Sequence, residues 1–190
     1  MSPAMNGAAR PAVFLDRDGV LNDVVVIDGR PHPPESAADV IVRPDTIEAC
    51  ERLHEAGLLL VVVSNQPDIA RGRQTREGVE AINDELRRRL PLDDVRICPH
   101  DDADQCSCRK PLPGLLVDGA SKWNIDLEKS VMVGDRWRDV EAGRRAGCAV
   151  VLIKRDYAER SALPDADLVV ADLHEAVPWI LKTTKREKDS

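Results

Sequence analysis

Two aspartates one residue apart, Asp16 and Asp18, close an apolar run over residues 12–15 and are followed by Gly19. In an extended strand, residues i and i+2 point to the same side. Two carboxylates so placed can share a divalent cation, or one can attack while the other transfers a proton. Alone, the pair reads more readily as two surface aspartates of a solvated loop. Carboxylates at the end of a buried strand are costly unless they meet water, a metal or a reacting group. The ends of parallel strands are also where open α/β sheets place their ligands.

Three further segments carry similar chemistry. Ser64 and Asn65 follow a second apolar run and offer a hydroxyl and an amide that could hold a phosphate oxygen, or simply cap a turn. Arg71 and Arg73 lie just beyond, and guanidinium groups fit phosphate or carboxylate bidentately. Arg109 and Lys110 precede Pro111, which biases Lys110 to an extended backbone and suits it to act as a fixed point charge. Gly134-Asp135 ends another run. Asp135 is a candidate metal ligand, and Asp139 a helix N-cap, a ligand or both, with Arg136 and Arg138 near the site or facing solvent. Together these place oxygen ligands, a neutral donor and a cation at one edge of one sheet. Hard oxygen ligands with few dedicated side chains suit Mg²⁺ bridging to phosphate.

A fifth group stands apart. Cys98, His100, Cys106 and Cys108 offer three thiolates and an imidazole, a tetrahedral set for zinc with no open position and therefore a structural one. Such an ion would clamp the polar residues 101–105 and fix Arg109 and Lys110. Cys50 and Cys148 read as small core residues. His32, in a proline-rich stretch, is a candidate substrate contact. His54 and His174 read as surface residues, and Trp123, Trp137 and Trp179 as groups that fill space.

The elements that must position these groups are legible as alternating strands and helices. Strands are predicted over residues 12–15, 58–63, 95–98, 131–134, 149–153 and 167–170. Helices are predicted from Pro44 to Gly57, from Thr75 to Pro91, from about 113 to 123, from about 139 to 146, and after Asp172. Asp172 with Glu175 forms a plausible capping box, and Pro178 should interrupt or kink the last helix. Residues 24–27 read as one arm of a hairpin turning at Asp28-Gly29. Pro31, Pro33 and Pro34 should deny the other arm regular pairing and leave a flap over the sheet end. The pattern is that of βαβ units and a mostly parallel sheet.

Composition bounds the rest. The 190 residues fit one domain, with 43% hydrophobic and 32% charged residues. A net charge of -7 argues against a nucleic-acid partner. No apolar stretch is long enough for a membrane span, and residues 1–10 lack the apolar core of a signal peptide. The clustering of three of five cysteines favours metal over disulfides. Residues 1–10 and 183–190 are expected to be disordered, around one domain over 11–182 with a zinc loop at 98–108. A cytoplasmic monomer is the expectation.

Four segments, taken in order, resemble a known family. They are Asp16-Arg17-Asp18-Gly19-Val20-Leu21-Asn22, Ser64-Asn65-Gln66 with Ile69-Ala70-Arg71-Gly72, the cysteine/histidine segment through Lys110-Pro111, and Gly134-Asp135-Arg136 with Asp139. They resemble the haloacid dehalogenase (HAD) superfamily of phosphohydrolases, in its histidinol-phosphatase and heptose-bisphosphatase branch. The resemblance implies a three-layer, Rossmann-like α/β fold with a minimal cap, and Mg²⁺-dependent hydrolysis of a small phosphate ester. It implies that Asp16 is the nucleophile and Asp18 the acid/base, with Ser64 and Lys110 on the phosphoryl oxygens. It gives Asp16, the backbone carbonyl of Asp18 and Asp135 as Mg²⁺ ligands, and Asp139 as a support for the metal site or for Lys110. Asn65, Arg71, Arg109 and Arg136 would face the substrate. A heptose 1,7-bisphosphate is the first expectation and histidinol phosphate the alternative, since only five residues separate His100 from Cys106. A non-catalytic, zinc-stabilised phospholigand-binding module is the alternative from another class.

Overall fold

The computed structural model describes residues 8–158 and 166–185. Six strands form one parallel sheet: β1 (Ala12–Leu15), β4 (Leu59–Asn65), β5 (Asp94–Cys98), β6 (Val131–Gly134), β7 (Ala149–Ile153) and β8 (Leu168–Val170). Their order is β5-β4-β1-β6-β7-β8. The chain builds outward from β1 to β5 on one side and then crosses back to β6 on the other. The two strands beside β1 therefore carry helices leaving in opposite directions, and the carboxyl ends open a crevice there.

Among the described residues five α-helices cover both faces: α1 (Pro44–Glu55), α2 (Arg76–Arg89), α3 (Gly114–Trp123), α4 (Trp137–Ala146) and α5 (Leu173–Thr184). Strand alternation divides the core between them. Val13 and Leu15 of β1 join Leu53, Ile82, Leu86 and Ile180 on the side of α1, α2 and α5. Ala12 and Phe14 join Leu116 and Met132 on the side of α3. All four β1 residues are fully buried, which is why a continuous apolar run rather than an alternating one marks this strand.

Several boundaries differ from expectation. Ser64 and Asn65 are the last two residues of β4 rather than a loop beyond it. Helix α4 begins at Trp137, so Asp139 is its third residue and not its N-cap. The carboxylate of Asp172 caps α5 by accepting from the Glu175 amide, but Glu175 reaches back to the amide of Ala171, one residue beyond a reciprocal box. Pro178 does not interrupt α5. The lost helical bond costs about 3 kcal/mol. Leu173, Ala176, Val177 and Ile180 of the same helix are buried. At about 1.5–3 kcal/mol for each large side chain, that burial outweighs the loss.

The hairpin is regular after all. β2 (Val25–Ile27) pairs antiparallel with β3 (Arg30–His32), with Val26 opposite Pro31. With a two-residue turn at Asp28-Gly29, Ile27 and Arg30 form the hydrogen-bonded pair. The next pair, containing Pro31, is then a non-bonded one whose amides point outward, so a proline costs nothing there.

The expected disordered ends fall mainly outside the described residues. Arg10 is nevertheless held, donating its amide to Asn124 and accepting from Asp126, and residues 183 and 184 belong to α5. No helix among the described residues is long and apolar enough to cross a membrane.

Candidate active site

Asp16 continues the β1–β6 ladder by donating its amide to the Val133 carbonyl at 2.9 Å, which fixes the residue at the sheet edge. The chain then turns sharply, with the Gly19 amide donating to the Asn22 carbonyl at 2.8 Å. Gly19 has φ +86°, and a Cβ there would lie 1.9 Å from Asp135 Oδ2, so only glycine lets the turn pass this carboxylate. Gly134 meets a similar limit, because a Cβ would sit 2.1 Å from that of Asp139.

Lys110 ties the edge together. Its ammonium is 2.9 Å from Asp16 Oδ1 and 2.6 Å from Asp139 Oδ1, and donates to the Val63 carbonyl at 2.8 Å. All three protons are thus used, and the side chain is only 2% exposed. The second oxygen of Asp139 accepts the Arg136 amide at the start of α4. Asn65 grips the Lys110 backbone from both sides, donating to its carbonyl and accepting from its amide, each at 3.0 Å. Ser64 is buried beside it, its hydroxyl 2.8 Å from Gln66 Nε2.

Burial pushes the Asp16 carboxyl up to about 6, against the pull of Lys110 and with the help of Asp139. Burial, then Asp16 and Asp139, raise Asp135 well above the usual carboxylate range. Burial opposes the charge on Lys110, but Asp139 and Asp16 outweigh it and raise its pKa. Three carboxylates facing one ammonium leave negative charge that lacks a partner.

That surplus fits a cation. Oxygens of Asp16, Asp135 and Asp139 lie within 4.8 Å of one another, and Asp135 Oδ1 is buried without a hydrogen-bond partner. Asp135 Oδ2 accepts the Tyr157 hydroxyl at 2.7 Å, which leaves Oδ1 as the oxygen free to take a ligand. An all-oxygen set of this size, open to a cleft that admits water, suits Mg²⁺.

Asp18 lies across the cleft, accepting from Asn22 Nδ2 at 3.0 Å, from Gln66 Nε2 at 2.9 Å and from Arg17. The cleft, of about 160 Å³, is lined by Asp16, Asp18, Ser64, Asn65, Lys110 and Asp139 on its floor. Arg71, Arg136 and Arg138 stand at its rim, with Pro31 and Pro33 of the flap. His32, between those prolines, is exposed and does not line it.

Besides His32, sequence reading and geometry diverge at Lys110, Arg109 and Asn65: the Lys110 ammonium is taken up by Asp16, Asp139 and the Val63 carbonyl rather than left for a phosphoryl oxygen. Arg109 is not among the cleft residues: it donates to Asp102 at 2.8 Å and to the His100 carbonyl at 3.1 Å, inside the cysteine loop. Asn65 reaches the cleft, but both side-chain groups serve Lys110. Arg71 is at the rim, with its guanidinium paired bidentately to Asp101. Arg138, left open in sequence, bonds Asp102 and the Lys110 carbonyl. Tyr157, Asn83 and the buried Arg17 went unassigned. Gln66 was visible only as a motif member, and its two contacts come from folding.

The cysteine group is assembled as a four-cornered set. Cys108 Sγ is 3.2 Å from Cys98, 3.5 Å from Cys106 and 3.4 Å from His100 Nδ1, and Cys98 is 3.6 Å from Cys106. A tetrahedron with metal–sulfur bonds of about 2.3 Å has edges near 3.8 Å. Burial acts to raise Cys106, but the Arg109 amide and the neighbouring thiols pull it down to about 7. These residues fit a zinc ion.

Comparison with known proteins agrees with the geometry. A family model described as HAD-hydrolase-like matches residues 107–176. The D-glycero-beta-D-manno-heptose-1,7-bisphosphate 7-phosphatase of Bordetella bronchiseptica is 34% identical over 90% of this chain and 97% of its own. The D-glycero-D-manno-heptose-1,7-bisphosphate 7-phosphatase of Thermosynechococcus vestitus is 36% identical over 90% and 95%. The crystal structure of the D,D-heptose 1,7-bisphosphate phosphatase from B. bronchiseptica, complexed with magnesium and phosphate, superposes with a TM-score of 0.78. It is 33% identical and covers 90% of this chain and 98% of that one.

Proposed function

The chain belongs to the HAD-like phosphatase family, and from that premise we propose that it removes the 7-phosphate of a heptose 1,7-bisphosphate. One observation carries the proposal. Asp16, Asp18, Ser64 and Lys110 line one cleft at the carboxyl end of β1, and Asp135, within 4.8 Å of Asp16, has a buried Oδ1 that still lacks a hydrogen-bond partner. Relatives similar over nine-tenths of the chain carry the heptose name. They lend no support to histidinol phosphate or to a non-catalytic module.

Asp16, Asp135 and the backbone carbonyl of Asp18 would hold Mg²⁺, which neutralises phosphoryl charge when bound. The chain's own residues do the rest. An Asp16 oxygen attacks phosphorus as the bond to the sugar oxygen breaks, and Asp18 gives its proton to that departing oxygen. Asp18 then takes a proton from water, whose oxygen attacks the phosphorus of the aspartyl-phosphate and releases phosphate and the Asp16 carboxylate. Ser64 donates to a phosphoryl oxygen. Lys110 holds Asp16 in line and offsets its charge.

Magnitudes require all of these parts. Hydrolysis of a phosphomonoester can demand an acceleration of about 10²¹-fold. Acid/base transfer supplies about 10²–10⁴-fold, so positioning and charge neutralisation must supply most of the rest.

The rim arginines Arg71 and Arg136 would meet the remainder of the substrate, and Arg109 would act by bracing the cysteine loop. Zinc on Cys98, His100, Cys106 and Cys108 would clamp that loop and so fix Lys110. The protein would work as a cytoplasmic monomer in carbohydrate metabolism, with no nucleic-acid or membrane partner. Its charge of -7 is consistent with a small-molecule role. Steady-state kcat/KM on heptose 1,7-bisphosphate and on histidinol phosphate tests the reading. A strong preference for the heptose is expected, and preference for histidinol phosphate would overturn it.

A further inference from the structure

The largest fully buried side chain among the described residues is a charged one beside the nucleophile, Arg17, at 0% exposure. Its neighbours in sequence, Asp16 and Asp18, face the cleft. Arg17 points the other way, toward the inner face of α2. Nε lies 3.2 Å from Oδ1 and 3.1 Å from Oδ2 of Asp18, and Nη2 lies 3.0 Å from Oδ2. Nη1 donates to Asn83 Oδ1 at 3.1 Å. Asn83 is also fully buried, among Val79, Ile82 and Leu86 on α2.

A guanidinium in this position is hard to explain by stability. Removing it from water is costly, and an aliphatic side chain would fill the space without that cost. Asp18 is the only carboxylate paired with it among the described residues. Nη2 meets Asp18 Oδ2 as an ion pair without hydrogen-bond geometry, and Asn83 Nδ2 has no hydrogen-bond partner, so the pair is not optimised as a polar network in itself. What the arrangement does fix is the Asp18 carboxylate. Arg17 approaches both oxygens from the core side, while Asp18 remains open to the cleft on the other.

We infer that Arg17, braced by Asn83, is the positioning residue for Asp18, holding from behind the carboxylate that exchanges a proton with the reacting oxygens. This rests on the phosphatase reading above. As the Asp16–phosphorus bond forms and the ester bond breaks, Asp18 loses its proton to the leaving oxygen and becomes an anion at the wall of the cleft. The fixed guanidinium is its counter-charge at that moment, with no side chain needing to move. In the return step the same contact orients the anion toward water.

Leaving-group dependence separates this from a merely structural role. A p-nitrophenolate departs readily without a proton, whereas an unsubstituted phenolate departs far better with one. We compare kcat/KM for phenyl phosphate and p-nitrophenyl phosphate in the wild type and in Arg17→Met, Asn83→Leu and Arg17→Lys. Wild-type turnover of neither ester would sink the phosphatase reading itself. With turnover established, Arg17→Met should lower the phenyl to p-nitrophenyl ratio by about tenfold or more, part of the full acid contribution. Asn83→Leu, which keeps the guanidinium but removes its brace, should lower it by a smaller factor. Arg17→Lys should restore part of the ratio, since an ammonium supplies charge without the fork. An equal loss on both esters, or no loss in any folded variant, would overturn the inference. Should Arg17→Met fail to fold, the ratio in Asn83→Leu decides.

Discussion

The ammonium of Lys110 lies 2.9 Å from Asp16 Oδ1, although the two residues come from segments almost a hundred positions apart. With Asp139 at 2.6 Å it forms a buried carboxylate–ammonium–carboxylate bridge at the end of β1. Removing the ammonium leaves those carboxylates uncompensated. Lys110→Met should lower kcat/KM by about 10²–10³-fold. It should also cost about 3–5 kcal/mol of stability, the usual penalty for breaking a buried ion pair. Steady-state kinetics and denaturant unfolding read the two effects separately.

Asp16 is raised from 3.8 to about 6, chiefly by burial, so the metal-free folded protein binds its proton more tightly than the unfolded chain does. The sign follows: with metal chelated, this group's contribution to stability is lost as pH rises from about 4 to about 6. Asp16→Asn removes the penalty. In EDTA above pH 6 the variant should be more stable than wild type by on the order of 1–3 kcal/mol, and the gain should vanish near pH 4. Thermal unfolding across that range checks it; a gain independent of pH would contradict the assignment.

Tyr157 donates to Asp135 Oδ2 at 2.7 Å and leaves Oδ1 free. Tyr157→Phe keeps the ring but removes the donor. The Mg²⁺ concentration giving half-maximal activity should rise by roughly tenfold, toward the lower end of outer-contact effects on metal affinity. Activity at saturating Mg²⁺ should change much less. A magnesium titration of both proteins distinguishes this from a general loss.

The two bonds from Asn65 to the Lys110 backbone make it a positioning group. Asn65→Ala should therefore lower kcat by about tenfold or more while leaving KM nearly unchanged, since misplacement of catalytic groups is costly in rate. A rise in KM alone would return Asn65 to the role of substrate contact.

Metal analysis tests the cysteine set. The purified protein should hold one zinc per chain, and Cys108→Ser should lose it together with stability of the loop that carries Asp101 and Asp102. Protein without stoichiometric zinc would contradict the structural role.

The sequence made the frame legible because burial on both faces writes itself as apolar runs, as in β1 and β4. It made the chemistry legible because polar residues stand at the ends of those runs. What it hid depends on contacts distant along the chain. Nothing local tells that Arg17 turns inward to meet Asn83, 66 positions away. Nor does anything local tell that Arg109 bends back onto Asp102 and the His100 carbonyl. Pro31 fits a regular hairpin because the rule against proline in strands applies to bonded positions, and the turn length decides which those are. Pro178 alone does not tell that the helix runs on through it, because the apolar face of α5 that offsets its cost is set by packing.

The most direct test is the covalent step at Asp16. Rapidly quenched reaction mixtures, digested and weighed by mass spectrometry, should carry one added phosphoryl group on the peptide containing Asp16. It should be absent from Asp16→Asn, which should fold and show no turnover. A phosphoryl group on another peptide, or retained hydrolysis in Asp16→Asn, would contradict the account.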